Sequence, residues 1–331
     1  MSQVDGISVI VCCHNSANRI SNALECLAGQ QTVNLPWEVI VVDNASTDNT
    51  KTVATECWVV LGRHDVPLRV VDEAKPGLTY ARQKGIEAAV YEGLIFCDDD
   101  NLLSDQYIQT AFDLLRRYPK VGAIGGWGQA RTEKTIPTWF ANHASCYACF
   151  PQGTEDGPLA PSAALYGAGL VLRKEVLRDL DDAGFKPVMS DRKGKSLLSG
   201  GDSELSYAIQ LRGYLLWYCA ALRFYHVIPA SRLTEKYLTN LVGALAYSSG
   251  QLMCYQYALR NSPVTKLTWI KDTLYQFGFL IRSVTLPKSN ELSELDRKLD
   301  LTFARNRAVS IFRQFGSYKK KYNRVARLKL N

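Results

Sequence analysis

The chain has 331 residues, of which 47% are hydrophobic and 21% charged, the balance of an ordinary globular protein. Its formal net charge is +7, but residues 301–331 contain nine Lys or Arg and no Asp or Glu, so the rest of the chain is slightly acidic. A basic excess confined to one end argues against a general nucleic-acid-binding surface, and we expect no nucleic-acid partner.

The N-terminal residues and the cysteines indicate the compartment. Residues 1–6 lack the basic segment that opens a signal peptide. The nine cysteines are scattered and lie mostly in apolar runs, which is typical of reduced thiols and not of a disulfide framework. We therefore expect a cytoplasmic protein.

Apolar runs alternate with helical patterns through the first 126 residues. Strands are predicted at 7–12, 37–42, 68–71, 94–97 and 121–126. Helices are predicted at 18–30, 50–57, 78–91 and 106–118. This alternation predicts an α/β fold with a doubly wound, mostly parallel sheet and helices on both faces. Ligands bind such sheets at the carboxyl ends of the strands.

The second half of the chain is less regular. Residues 127–163 predict a long functional loop, and 164–173, 214–218 and 222–226 predict further strands. From residue 233 the pattern is helical, which places a boundary between an α/β domain at 1–232 and a helical C-terminal region at 233–331. The apolar runs at 241–253 and 274–286 contain polar residues and fall short of the ~20-residue span of a transmembrane helix.

Three consecutive aspartates, Asp98-Asp99-Asp100, follow the predicted strand that ends at Cys97. Unpaired charges removed from water cost several kcal/mol, so a divalent metal carrying a phosphate would neutralise them well. The alternative is an acidic turn that caps the following helix. His14-Asn15 and Asp43 also end predicted strands, and this convergence favours the metal and phosphate interpretation.

Six motifs in order resemble the inverting nucleotide-sugar glycosyltransferases of family two, which have the GT-A fold. The resemblance covers residues 6–232, with a nucleotide-binding half at about 1–126 and an acceptor half at about 127–232. Its motifs are Val9–Asn15, Val41–Asp48, Lys75–Gly85, Asp98–Asp100, Gly200–Tyr207 and Phe224–Arg232. The chain departs from the family pattern at Cys12, where proline is common, at Gln83, which replaces Asn, and at Gly201, which replaces Glu.

The resemblance implies that the first three motifs bind the nucleotide sugar. His14 and Asn15 end the first strand, and Asp43 would accept a hydrogen bond from the N3–H of uracil, which favours a UDP-sugar. Gly77 would allow close backbone approach to the ligand, and Arg82 would lie near the nucleotide. The structural alternatives are an Asx turn or helix cap at Asp43 and a salt bridge to an acidic loop at Arg82.

The aspartate motif and the late histidine motif imply a metal site. Asp98 would face ribose or sugar hydroxyls, and Asp100 would bind Mn²⁺ or Mg²⁺, which bridges the diphosphate. Asp99 belongs to the same nucleotide-sugar motif, but strand alternation turns its side chain to the other face, toward a structural role. His226 would complete the metal shell or else be a satisfied structural group, and Arg232 would pair with phosphate.

The fifth motif implies the catalytic base. Asp202 aligns with the family aspartate that deprotonates the acceptor hydroxyl, whereas the alternative is an acidic residue that complements the helix dipole. Glu204 is the neighbouring candidate, but residues two apart on a helix do not share a face. Trp127 and Trp139 are weak candidates for an acceptor-stacking surface, since aromatic residues are more often core.

The implied function is metal-dependent, inverting transfer of a sugar from a UDP-sugar to a glycan or lipid-linked glycan, as in bacterial surface polysaccharide assembly. The alternatives are a sugar-phosphate nucleotidylyltransferase, which typically has a Gly-rich loop after its first strand, and a non-catalytic carbohydrate-binding protein. His14–Asn18 contains no glycine. A phosphatase-like enzyme would instead carry its aspartates after the first strand.

The basic C-terminus has apolar residues at helical spacing from residue 308 onward. Such a helix can lie on an anionic membrane surface, and 308–331 is therefore predicted to contact the inner face of the cytoplasmic membrane. The alternative is a helix that packs on the body with solvated lysines.

Overall fold

The structure is a computed structural model that describes residues 3–189, 197, 199–285 and 293–330. Its strands are β1 (Ile7–Cys13), β2 (Trp37–Asn44), β3 (Leu68–Glu73), β4 (Gly93–Asp98), β5 (Asn101–Leu103), β6 (Val121–Arg131), β7 (Gly157–Pro158), β8 (Val171–Arg173) and β9 (Leu215–Val227). The helices of the α/β part are α1 (Ile20–Ala28), α2 (Thr50–Leu61), α3 (Leu78–Ala88), α4 (Tyr107–Arg117), α5 (Phe140–His143), α6 (Lys174–Asp182) and α7 (Gly201–Leu211). Single 3₁₀ turns lie at Ala144–Tyr147 and Ala230–Arg232.

The strands form one sheet in the order β3-β2-β1-β4-β8-β6-β9-β5, and β7 pairs with β9. The β3-β2-β1-β4 half is parallel, as the alternation of strands and helices predicts. The other half is mixed, because β8 runs antiparallel to both β4 and β6, and β5 runs antiparallel to β9. The α/β fold is confirmed, but the sheet is parallel in only one of its halves.

Helices cover both faces of the sheet and bury a separate core on each. One core joins alternate residues of β1, β2 and β4 to α1, α2 and α4. The other joins the remaining residues of the same strands to α3, α6 and α7. Strand residues alternate between faces, so Val9 and Val11 enter one core and Ile10 the other.

The helical region contains α8 (Glu235–Gln251), α9 (Met253–Leu259), α10 (Lys266–Thr285), α11 (Glu294–Phe312) and α12 (Tyr318–Ala326). It packs on the α/β part: Tyr255 of α9 and Val325 of α12 belong to the core that contains Ile10 of β1. Within the described part of the chain, no helix is both long enough and apolar enough to cross a bilayer.

The structure does not support a continuous membrane-binding helix at 308–331. The end of α11 and the separate helix α12 form this segment. Most of its apolar side chains pack on the body and are buried, including those of Ile311, Tyr318, Val325 and Leu328. The packed alternative therefore describes these residues, because their apolar surface is already removed from water.

Candidate active site

A cavity of about 560 Å³ lies at the carboxyl ends of β1, β2 and β4. The first turns of α3 and α7 and one side of α8 complete its walls. Nine of the residues that the sequence nominated line it: His14, Gly77, Arg82, Asp98, Asp99, Asp100, Asp202, His226 and Arg232. The remaining five do not: Asn15, Asp43, Trp127, Trp139 and Glu204.

Strand pairing puts Asp100 beside His226. β5 begins directly after Asp100, and its first residue, Asn101, lies opposite His226 in the antiparallel β5–β9 ladder. The amide of Val227 donates to the carbonyl of Asp100 at 2.8 Å. The side-chain Nε2 of His226 consequently lies 3.5 Å from Oδ2 of Asp100, and Nη1 of Arg232 lies 3.5 Å from the same oxygen.

These surroundings keep Asp100 ionised. Burial raises the pKa of Asp100, but His226 and Arg232 outweigh this effect and lower that pKa to about 2. Burial likewise lowers the pKa of His226, but the Asp100 carboxylate dominates and holds it well above its usual value.

Asp100 and His226 would suit a divalent cation that takes the place of the proton on Nε2 of His226. The Nδ1–H of His226 donates to the carbonyl of Tyr147 at 2.8 Å, which leaves Nε2 on the side of Asp100. A backbone acceptor on the second ring nitrogen is the usual support of a metal-binding histidine. Over the described residues, no group of three or more His, Cys, Asp or Glu side chains is arranged to hold a metal. Mg²⁺ sites commonly have one or two protein carboxylates, with substrate phosphates and water as further ligands.

Asp98 is the least compensated of the three carboxylates. Burial raises its pKa to about 6; Arg82 opposes this shift, whereas the neighbouring Asp100 adds to it. A cation or a hydrogen-bond donor that entered the cavity would relieve this cost.

Asp99 lines the cavity with its two neighbours and also contacts the loop between β1 and α1. Its Oδ2 accepts a hydrogen bond from the Ser16 hydroxyl and lies 2.8 Å from Nη2 of Arg19. Arg19 also donates to the backbone carbonyl of His14 at 3.2 Å, so Asp99 holds the loop between β1 and α1. Sequence reasoning missed Ser16 and Arg19, and their only local signal is their position between β1 and α1.

Asp202 lies at the start of α7 and lines the same cavity as the three consecutive aspartates. Its Oδ1 accepts a hydrogen bond from Nη1 of Arg82, and its Oδ2 accepts one from the amide of Gly167 at 3.0 Å. The guanidinium of Arg82 also lies 4.9 Å from the ring centroid of Phe96. The salt-bridge alternative for Arg82 is thus present, with the candidate base as its partner.

Glu204 is turned away from the cavity and is 1% exposed. Its carboxylate accepts hydrogen bonds from the amides of Val188 and Met189 at 2.6 and 2.8 Å, and from the Tyr255 hydroxyl at 2.7 Å. Burial raises its pKa. The nomination of Glu204 for the acceptor side is not supported, because all of these contacts are internal.

Asn44 shapes the end of the cavity beside Gly77, and sequence reasoning missed it. Its Nδ2 donates to the carbonyls of Glu73 and Lys75 at 3.1 and 2.7 Å, and its Oδ1 accepts from the amide of Gly77 at 2.7 Å. Gly77 has φ +136°, a conformation that disfavours other residues. His14 joins this end through Nδ1, which donates to the carbonyl of Asn44 at 2.8 Å.

Asn15 and Asp43 order the loops beside the cavity. Oδ1 of Asn15 accepts from the amide of Thr47 at 2.8 Å, and this contact joins the β1–α1 loop to the β2–α2 loop. Oδ1 of Asp43 accepts from the amide of Ser46 at 3.3 Å, which is the turn that the structural alternative predicts. Asp43 nevertheless remains partly exposed at the end of β2.

The two nominated tryptophans pack elsewhere. Arg223 covers the ring of Trp127 at 5.1 Å, and Trp139 packs beside Phe140 at 6.2 Å. The aromatic side chains that do line the cavity are Tyr147, Tyr166 and Tyr237. Tyr237 lies in the helical region, so no motif of residues 1–232 could have indicated it.

Comparison with known proteins places the chain in a family. The family model described as Glycosyl transferase family 2 matches residues 8–180, just over half of the chain. The poly-beta-1,6-N-acetyl-D-glucosamine synthase of Staphylococcus epidermidis is 27% identical over 135 residues, which are 40% of this chain and 31% of that protein. The chain spans about a third of the length of the first curated relatives it matches.

Two solved structures share the fold. The mannosyltransferase PcManGT from Pyrobaculum calidifontis, in complex with GDP-Man and Mn²⁺, is 17% identical with a TM-score of 0.51, over 96% of this chain and 88% of that one. TarS from S. aureus, in complex with UDP, is 15% identical with a TM-score of 0.50, over 96% of this chain and 91% of that one. The chain therefore belongs to glycosyl transferase family 2 and has the GT-A fold that it shares with these two structures.

Proposed function

We propose that this glycosyltransferase transfers a sugar from a UDP-sugar to a glycan or lipid-linked glycan, with inversion at the anomeric carbon and with Mn²⁺ or Mg²⁺. The observation that carries the proposal is the shared cavity of Asp98, Asp100, Arg82 and Asp202. It offers carboxylates for a cation at one side and a candidate base at the other. Bacterial surface polysaccharide assembly is the proposed setting, and the poly-beta-1,6-N-acetyl-D-glucosamine synthase similarity supports it.

The nucleotide would bind at the end formed by His14, Asn44 and Gly77. Asp43, at the adjacent end of β2, would accept the N3–H of uracil. The open backbone at Gly77 would let the ligand approach the first turn of α3, whose amides favour negative charge. Arg232 would contact the diphosphate from the opposite wall.

Asp100 and His226 would hold the divalent ion, and Asp98 would bind ribose or sugar hydroxyls. The ion would supply Lewis-acid stabilisation of negative charge on the departing nucleoside diphosphate. Arg232, next to Asp100, adds a fixed positive charge in the same place. The enzyme would therefore stabilise the leaving group from one wall of the cavity.

Asp202 would act as the general base. It would take the proton of the acceptor hydroxyl while that oxygen attacks the anomeric carbon from the face opposite the diphosphate. Each carboxylate oxygen has a second lone pair, so the hydrogen bonds from Arg82 and Gly167 orient Asp202 without using its full accepting capacity. One such displacement inverts the stereocentre, and no enzyme nucleophile is required.

The test is Asp202→Asn, which keeps the size of the side chain but removes the base. We expect kcat to fall by about 10³-fold, within the range of general-base contributions. Binding of UDP with Mn²⁺ should persist, measured as a rise in Tm by mass action. The anomeric configuration of the wild-type product, determined by NMR, checks inversion.

The matched control is Asp182→Asn, an exposed aspartate at the end of α6. It should leave both kcat and the UDP-induced rise in Tm unchanged. A fully active Asp202→Asn enzyme would remove the assignment of the base. A wild-type Tm that responds to GDP with Mn²⁺ but not to UDP would contradict the proposed donor.

A further inference from the structure

The outward side of α10 is apolar. Seven large hydrophobic side chains of this helix are 38% to 71% exposed: Leu267, Ile270, Leu274, Tyr275, Phe277, Phe279 and Ile281. Phe312 extends the same surface, because its ring centroid lies 6.3 Å from that of Phe277. Phe312 and Phe315 both pack beside Trp269 of α10, at 6.2 and 4.6 Å, and are 54% and 67% exposed. We call these nine residues the α10 surface.

The inward side of α10 is polar. Thr273 and Gln276 are buried, and the carboxylate of Asp272 accepts hydrogen bonds from the hydroxyls of Tyr257 and Tyr318 at 2.7 and 2.5 Å. A surface helix of a globular protein normally has the opposite arrangement, with its apolar side on the core. The two partly buried hydrogen bonds of Asp272 hold the orientation of α10, in which its apolar side faces outward.

Among the described side chains of α10, at 266–282, the exposed charged residues are all basic. Lys266, Lys271 and Arg282 are exposed on α10, and Asp272, the one acidic residue among its described side chains at 266–282, is turned inward. Arg313 lies between Phe312 and Phe315 and is also exposed. A second copy of the chain would bring this basic surface against itself, which like-charge repulsion disfavours, whereas an anionic partner complements it.

We propose that the α10 surface docks on an anionic lipid bilayer. Aromatic and aliphatic side chains of α10 would enter the boundary between headgroups and acyl chains, and the lysine stems would extend along it with their ammonium groups at the lipid phosphates. Large exposed apolar surfaces rimmed by polar residues are typical of such interaction sites. The bilayer contact would thus be made by α10 with the end of α11, in place of the predicted helix at 308–331.

The first test measures co-sedimentation with phosphatidylcholine vesicles that contain or lack phosphatidylglycerol. Leu267→Ser, Leu274→Ser and Tyr275→Ser are combined in one variant, since all three side chains are exposed and their loss leaves the core intact. The matched control combines Val33→Ser, Val59→Ser and Val60→Ser, which are 73%, 65% and 85% exposed on the α/β part. We expect the α10 variant to bind anionic vesicles at least about tenfold more weakly and the control to bind as the wild type does.

The second test isolates the charges. Lys266→Glu with Lys271→Glu should remove the preference for anionic vesicles, because each basic residue near such a surface is worth about fivefold in affinity. Lys120→Glu with Lys134→Glu makes the same change in net charge at exposed positions of the α/β part and should retain the preference. Equal loss in both variants would mean that only total charge matters and would overturn the proposed surface.

Light scattering on the same proteins tests the alternative occupant of the α10 surface, which is a second copy of the chain. The bilayer proposal would be overturned in favour of a second copy by two results together. The wild-type protein would stay in the supernatant with every vesicle, and it would be a dimer where the variant with the three apolar substitutions is a monomer. Transfer to a soluble acceptor should be unchanged in every variant, since none of these residues lines the cavity. Loss of vesicle binding with intact transfer would therefore support the proposal independently of the proposed donor and acceptor.

Discussion

Three adjacent carboxylates at the end of β4 have three different partners. Arg82 opposes the charge of Asp98, Arg19 pairs with Asp99, and His226 pairs with Asp100. Each partner comes from a different element, so the repulsion among the three is relieved by the fold and not by the local sequence. The compensation is weakest at Asp98, whose raised pKa marks where the cavity still favours a donor or a cation.

Gly167 provides the residue-scale prediction. A Cβ at this position would lie 2.4 Å from Nη2 of Arg82 and 2.4 Å from both carboxylate oxygens of Asp202. Gly167→Ala should therefore displace the Arg82–Asp202 pair and lower kcat by about 10²-fold, a loss typical of a catalytic group moved by about an ångström. Steady-state transfer kinetics would measure this, with circular dichroism as the check on folding.

Gly316→Ala is the matched control for Gly167→Ala, since a Cβ at Gly316 meets nothing within 4 Å. It should have wild-type kcat. Unchanged kinetics in Gly167→Ala would show that transfer does not depend on the observed position of Asp202, which would weaken the assignment of that residue as the base.

Residues of the cavity differ in how far their own sequence could predict them. Asp98, Asp100 and Asp202 lie in motifs whose spacing indicated the site. Arg19 lies in none of these motifs, and the Val41–Asp48 motif gives no role to Asn44. Arg19 meets a carboxylate 80 positions away, and Asn44 binds a loop about 30 positions away. Local sequence contains no information on contacts of this kind, which depend on how β1, β2 and β4 align.

At the scale of elements, Asn44 joins the end of β2 to the segment that leads into α3. Its side chain makes three hydrogen bonds to the backbone of residues 73–77. Asn44→Ala should leave these backbone groups without their partners and loosen Gly77 at the end of the cavity proposed for the nucleotide. We expect KM for the donor to rise about tenfold with a smaller change in kcat, measured by varying the nucleotide sugar.

Asn49→Ala is the corresponding control, because Asn49 is exposed and its side chain makes no capping hydrogen bond to α2. Its KM should equal that of the wild type. A fall in kcat at unchanged KM in Asn44→Ala would assign Asn44 to the chemical step and contradict its role as a support of the loop.

The elements of the first half were predictable because each strand and helix has its own hydrophobic period. The elements of the second half were less predictable. β9 is one strand of thirteen residues where the pattern predicted two strands, and β8 has three residues where the pattern predicted a strand of ten. The β6–β9 ladder shifts register between Gly125 and Trp127, an irregularity that depends on the partner strand. Strand direction and pairing in this half are set by tertiary contacts that no local pattern specifies.

At the scale of the whole molecule, the helical region contributes to the walls of the cavity and to the core beneath the sheet. Tyr237, Leu241 and Leu245 of α8 line the cavity. Tyr255 reaches Glu204 of α7, and Val325 and Leu328 enter the core on one face of the sheet. The predicted boundary at residue 232 rested on the change from mixed to helical patterns, which locates a change of architecture but not the limit of a core.

The last prediction concerns a truncation that ends at residue 232. It removes Tyr255, Val325 and Leu328 from one core and leaves the carboxylate of buried Glu204 without one of its donors. We expect the fragment 1–232 to lack a cooperative urea transition and to precipitate, since exposed core surface promotes association. In the full chain, Val325→Ser with Leu328→Ser should lower the free energy of unfolding by about 4 kcal/mol. Lys319→Ser with Lys320→Ser, at exposed positions of α12, should change it by less than about 0.5 kcal/mol. If the fragment instead remains soluble, unfolds cooperatively and shows a UDP-dependent rise in Tm, then residues 1–232 form an independent domain and the shared core is dispensable.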